Sequence, residues 1–82
     1  MSYDKVKTAS SLMIGAKQTK KAVEQGKVQQ VLVAKDADEH VTRSLIQLCR
    51  HHGVHVVYVD SMRELGKACG IDVGAATAAI LE

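Results

Sequence analysis

Val31-Leu32-Val33-Ala34 is an unbroken apolar run with no alternation of polar side chains. A strand of that kind has both faces covered, so it lies inside a sheet with one layer above and one below. Val54–Val59, reading Val-His-Val-Val-Tyr-Val, has the same character and is expected as a second inner strand. In 82 residues a core of this design leaves room for one domain spanning residues 1–82 and no second. Apolar residues make up 46% of the chain, which suits a folded globule rather than disorder. They are mostly Val, Ala, Leu and Ile, with three Met, two Cys and two Tyr and no Phe or Trp, so the layers are thin and close.

The segments between these runs have helical period and helical punctuation. Ser2 can cap a short helix over Tyr3–Ala9, with Tyr3 and Val6 inward. Ser11-Leu12-Met13-Ile14 reads as a short strand, and Gly15 turns the chain into a helix that Gly26 ends. On a wheel, Ala16, Thr19, Ala22 and Val23 share one side of that helix, while Lys17, Gln18, Lys20, Lys21, Glu24 and Gln25 share the other. Asp38 is the N-cap expected for a helix over residues 39–52, whose apolar stripe is Val41, Leu45, Leu48 and Cys49 with Ile46 at its margin. Gly53 stops it. Ser61-Met62-Arg63-Glu64 is a capping box for a helix running to about Cys69, with Gly70 as its stop. Ile71-Asp72-Val73 forms a loop, and Ala75–Leu81 suits a last strand. Helices alternate with strands throughout, which calls for an α/β fold with helices on both faces of a mixed four-stranded sheet.

Charge is distributed unevenly. Residues 1–35 carry seven Lys against Asp4 and Glu24, a net of +5, whereas residues 36–82 carry a net of −3. The basic half contains the helix of Lys17 to Lys21, as a polyanion-binding face would require; an ordinary solvated surface gives the same count. There is no apolar run for a signal peptide and none approaching the ~20 residues of a membrane span, so a cytoplasmic protein is expected.

The residues for catalysis are not in pattern. There is no Gly-x-x-x-x-Gly-Lys-Ser/Thr loop, no Gly-x-Gly-x-x-Gly after a strand and no Gly-x-Ser-x-Gly elbow. Asp36 and Asp38 are better read as helix caps than as a carboxylate pair. Gly66 and Gly70 are explained by tight packing and a helix stop. Cys49, His51, His52 and His55 cluster, but zinc needs four ligands in a closed set, and only Cys49 and His52 share a helical face. Cys49 lies on the apolar stripe, so Cys49 and Cys69 are expected as reduced core thiols rather than a disulfide. No catalytic activity, metal or cofactor is expected.

What remains is the ridge of Lys17, Gln18 and Lys21. Lysines neutralise phosphates, and the Gln amide offers an acceptor and two donors to a base edge. Backbone N–H groups and the dipole at the helix start favour an anion. A lysine-bearing helix face that meets only water has the same spacing.

Two motifs about fifty residues apart make the sequence specific. One is Gly15-Ala16-Lys17-Gln18-Thr19-Lys20-Lys21 followed by Gly26. The other is Glu64-Leu65-Gly66-Lys67-Ala68-Cys69-Gly70-Ile71-Asp72-Val73. With the linking Ala34-Lys35-Asp36-Ala37-Asp38, they resemble the kink-turn RNA-binding family of L7Ae and L30e ribosomal proteins, above all its small bacterial members. The resemblance spans nearly the whole chain. It implies a three-layer α/β/α sandwich, a monomer, that grips tandem sheared G·A pairs and an extruded nucleotide in structured RNA, in the ribosome or a riboswitch.

Most members carry Gly, then Asn-Glu, then Lys one turn on; Lys17 and Gln18 replace Asn-Glu here, a variant similar to the L30e branch. By position, Lys21 would reach the sheared guanine edge, and Gly15, Lys17, Gln18 and Lys20 would lie along it or on the neighbouring backbone. Ile71, Asp72 and Val73 match the family's second RNA-facing loop, whose apolar side chains rest against the extruded base; inward packing of Ile71 and Val73 is the competing role. Asp38 matches an acidic residue near that base, in competition with its capping role. Met62 holds a slot that some relatives fill with a basic residue, and Arg63 follows it. A protein–protein adaptor built on the same fold is the alternative function.

Overall fold

The computed structural model describes residues 12–81. The elements run β1 (Leu12–Ile14), α1 (Ala16–Glu24), β2 (Val28–Ala34), α2 (Glu39–His52), β3 (His55–Val59), α3 (Met62–Ala68) and β4 (Thr77–Leu81). The helix expected over Tyr3–Ala9, its Ser2 cap and Ser11 lie outside the described residues.

The sheet is mixed and four-stranded, in the order β1-β4-β2-β3. β4 runs antiparallel to both β1 and β2, and β2 runs parallel to β3. Side chains on β2 alternate between two cores. Val31 and Val33 meet Ala22 and Val23 of α1 and Leu45 and Cys49 of α2. Leu32 and Ala34 meet Leu65 of α3 with Ala78 and Ile80 of β4. The unbroken run is apolar because both of its faces are covered. Burying each Val or Leu contributes about 1.5–3 kcal/mol. The result is an α/β/α sandwich with α1 and α2 on one face and α3 on the other.

Three expectations change. β3 is an edge strand, not an inner one. Val56 and Val57 pack into the opposite cores, but the outer hydrogen-bonding edge has no strand partner among the described residues, and Tyr58 is 51% exposed. Apolarity on both faces reports the layers above and below a strand and says nothing about its edges. On α2 the buried stripe is Thr42, Leu45 and Cys49, and Val41 is 42% exposed. The stripe is centred one residue later than the apolar pattern suggests, with Ile46 and Leu48 half-buried on its flanks. Thr42 is tolerated inside because its hydroxyl lies 3.4 Å from the Asp38 carbonyl. Finally, β4 begins at Thr77 rather than Ala75, because Ala75 and Ala76 are held by contacts outside the strand ladder.

Candidate nucleic-acid interface

The strand directions bring the carboxyl ends of β1, β2 and β3 and the start of β4 to one end of the sheet. Strand carboxyl ends are where open α/β sheets place their ligand loops. Here the β1–α1 turn at Gly15, the β2–α2 loop over residues 35–38 and the α3–β4 loop over residues 69–76 converge. Two backbone bonds join them: Gly15 N–H donates to the Thr77 carbonyl at 3.0 Å, and Ala34 N–H donates to the Ala76 carbonyl at 2.9 Å.

Gly15 enters α1 at φ 98° and ψ 150°, a conformation essentially closed to residues with a Cβ. It has no side chain to cap the helix, and the first turn contains no acidic residue. The first intrahelical bond is Thr19 N–H to the Gly15 carbonyl at 3.0 Å, so the N–H groups of Ala16, Lys17 and Gln18 have no partner among the described residues. The other two described helices are capped at their starts. Asp38 accepts from His40 N–H at 2.8 Å, and Ser61 Oγ accepts from Glu64 N–H at 3.1 Å. Among the described helices the start of α1 is therefore the uncapped one, and Lys17 in its first turn adds positive charge to the positive end of the dipole. That costs a few tenths of a kcal/mol, which a bound anion would reverse.

The α3–β4 loop is held from beneath. Gly66 is buried, and a Cβ on it would fall on the Val73 carbonyl. Ala75 N–H donates to the Met62 carbonyl at 3.0 Å. Met62 N–H in turn donates to the Asp36 carboxylate at 2.8 Å, tying the start of α3 to the β2–α2 loop. Gly70 ends α3, its N–H bonding the Lys67 carbonyl while Ile71 N–H bonds that of Gly66. The loop's anchors are thus backbone groups, and its side chains are left to point elsewhere.

Lys17, Gln18, Lys20 and Lys21 are all exposed, and Gly15 is half-buried under them. Thr19, Ala22 and Val23 are buried on the opposite side of the helix, with Ala16 half-buried, as the wheel predicts. Val73 is 70% exposed, and Asp72 is exposed beside it. Ile71 is half-buried against the α3-side core, so the loop divides the two roles between its apolar residues. Asp38 is exposed and serves as the α2 cap. Arg63 is exposed on the first turn of α3, while Met62 packs on the core. Cys49 is buried and Cys69 half-buried, both free, and burial pushes both thiols above their ordinary pKa. His51, His52 and His55 are exposed, whereas Cys49 is buried.

Two features escape a reading of the sequence. Asp36 is legible as a cap, but its partner stands 26 positions away and only the folded chain reveals it. Thr19 and Thr77 are fully buried, and neither hydroxyl finds a hydrogen-bond partner among the described residues. Thr19 looks unremarkable on the wheel because its size suits the packed side of α1.

The sequence matches the model of the Ribosomal protein L7Ae/L30e/S12e/Gadd45 family over residues 2–82. This chain belongs to that family. A Bacillus pumilus family relative named RNA-binding protein is 54% identical over 81 residues, covering 99% of each chain. The RNA-binding protein YbxF of Geobacillus stearothermophilus is 47% identical over 81 residues, again covering 99% of each. The fold also matches the Giardia lamblia 15.5kD RNA binding protein, with a TM-score of 0.87 and 30% identity over 98% of this chain and 68% of that one.

Proposed function

We propose that this protein recognises and stabilises kink-turns in structured RNA, as a non-catalytic cytoplasmic binder of ribosomal RNA or a riboswitch. RNA binding itself follows from membership of the family and from the relatives' names. The observation that carries the finer reading is the meeting of two patches at one sheet end: the uncapped cationic start of α1 and the loop bearing the exposed Val73.

The two patches have complementary uses. The deep major groove of A-form RNA is too narrow for side chains to read, and a sharp bend opens it. A ridge one helical turn long can then enter. Lys21 and Gln18 supply donors, and Gln18 an acceptor, for purine edges exposed by sheared pairing. Lys17 and Lys20 with the free N–H groups of the first turn suit phosphates. Val73, with Asp72 beside it, offers an apolar surface for a base that has left its stack. Such a contact is weaker than the about 1–3 kcal/mol of an aromatic platform.

Binding to a kink-turn duplex should exceed binding to the same duplex with its G·A pairs replaced by Watson–Crick pairs. Equal affinities would overturn kink-turn recognition while leaving general RNA binding intact. Affinity that ignores salt would instead favour the protein–protein adaptor, since phosphate contacts weaken steeply as salt rises.

A further inference from the structure

A cleft of about 510 Å³ lies between α2 and the edge strand β3. Among the described residues β3 has no outer neighbour, and α2 covers that strand incompletely. Val56 on β3 reaches the α2-side core, whereas Tyr58, two residues on and on the same face, is left half in solvent. Tyr58 stands opposite Val33 in the β2–β3 register, and Val33 and Ile46 give the cleft an apolar floor.

The rim is cationic, although residues 36–82 are net acidic. Arg43 and Arg50 line the cleft from α2, and Lys35 lines it from the β2–α2 loop. Glu39 is the one carboxylate in the lining. It lies 3.5 Å from Arg43 in a pair whose partners are both largely exposed, so it restrains Arg43 weakly. Lys35 and Arg50 have no ion-pair partner among the described residues. The neighbouring carboxylates of Asp36 and Asp38 are engaged with the N–H groups of Met62 and His40.

A planar aromatic side chain facing an apolar floor, with three cations at the rim, matches the chemistry of a nucleotide: a π-face to stack and a phosphate to neutralise. The cleft also has a direction. Lys35 belongs to the loop at the sheet end where the α1 start and residues 71–73 converge, so the cleft begins beside that interface. We propose that it is a second RNA subsite, taking an unpaired nucleotide from a single strand that leaves the bent duplex. Its base stacks on Tyr58, and its phosphates meet Lys35, Arg43 and Arg50. The proposal rests on the RNA-binding reading of the sheet end.

The test compares a blunt kink-turn duplex with the same duplex carrying a four-nucleotide single-stranded tail. The tail should tighten binding about tenfold, as one stacked base would. Tyr58→Ala should abolish that gain and leave the blunt duplex unchanged, and Tyr58→Phe should keep it. No gain from the tail, or an equal loss by Tyr58→Ala on both duplexes, overturns the subsite. A separate titration of the protein alone with a single-stranded tetranucleotide keeps the two readings apart. Tyr3→Phe leaves Tyr58 as the one tyrosine, so its ring protons report the cleft. Saturable shifts that Arg50→Ala removes support the subsite even if the G·A pairs prove irrelevant to duplex binding. Absent shifts, equal shifts with adenosine monophosphate, or shifts that track protein concentration without RNA overturn it. The last two outcomes would assign the cleft to a free nucleotide or to a second copy of the chain.

Discussion

The Asp36 carboxylate accepts the backbone N–H of Met62 at 2.8 Å across 26 positions of sequence. An acidic side chain thereby caps the first residue of α3 from a different loop, adding to the Ser61 hydroxyl that caps the same helix. Since Met62 also holds Ala75 through its carbonyl, the cap fixes the base of the loop that carries Val73. Asp36→Ala should cost about 1 kcal/mol of stability, read as a lower denaturant midpoint with an unchanged slope. RNA affinity should fall with it, although Asp36 would bear the wrong charge to contact phosphate; a gain in affinity would show that its charge matters more than its cap.

Gly66 gives a sharper version of the same test. A methyl group there meets the Val73 carbonyl, a backbone atom that cannot step aside without moving the loop. Gly66→Ala should destabilise the fold by about 1–3 kcal/mol, as overpacking does, and weaken RNA binding beyond what the unfolded fraction accounts for. Circular dichroism melts alongside RNA titration measure both. A variant with full stability and affinity would mean that the loop tolerates displacement.

Thr19 sits under the cationic ridge with a buried hydroxyl that has no hydrogen-bond partner among the described residues. An orphaned buried donor costs about 1–3 kcal/mol, and an apolar group of the same shape removes that cost. Thr19→Val should therefore stabilise the protein by about 1 kcal/mol, raising the melting temperature by about 4–8 °C for a domain of this size. A lowered melting temperature would show that the hydroxyl has found a partner.

The layers of the fold are legible in the sequence because each is fixed locally. Val31 to Ala34 reads as doubly covered from its own side chains, and Asp38 and Gly53 bracket α2 by chemistry within a few residues. The place of β3 at the sheet edge is not legible. Its faces match those of β2, and edge position is decided by which strands pair, a non-local property. The two patches of the proposed interface are each visible as a stretch of sequence. Their meeting is not: it depends on β4 starting beside Gly15, through the bond to Thr77. The displaced α2 stripe has another origin. Val41 is more apolar than Thr42, but the direction in which α2 meets the sheet selects Thr42.

Burial raises the thiol pKa of both Cys49 and Cys69 above the ordinary 9.0. In the folded state they hold their protons to higher pH than in the unfolded chain. Above about pH 9 the unfolded state binds fewer protons, so stability is complete below that pH and declines as pH rises through the folded values. Alkylation by iodoacetamide at neutral pH should be slow in the native protein and fast after denaturation, with the half-buried Cys69 reacting before Cys49. Rapid native labelling of Cys49 would mean that α2 opens from the sheet.

Lys21 provides the most direct probe of the ridge. It is exposed on the last turn of a nine-residue helix whose opposite side is buried, so removing its charge leaves the packing untouched. Lys21→Ala should leave the melting temperature within the small range of surface substitutions. Against a kink-turn it should cost about 1–3 kcal/mol of affinity if the ammonium contacts a guanine edge, lowering preference for the G·A-containing duplex. If it contacts phosphate instead, the loss should be equal for both duplexes, and the slope of log affinity against log salt should shrink by about 1. Affinities measured at several salt concentrations, for both RNAs and both proteins, separate a base contact from a phosphate contact, and a variant indistinguishable from wild type on every one of them removes Lys21 from the interface.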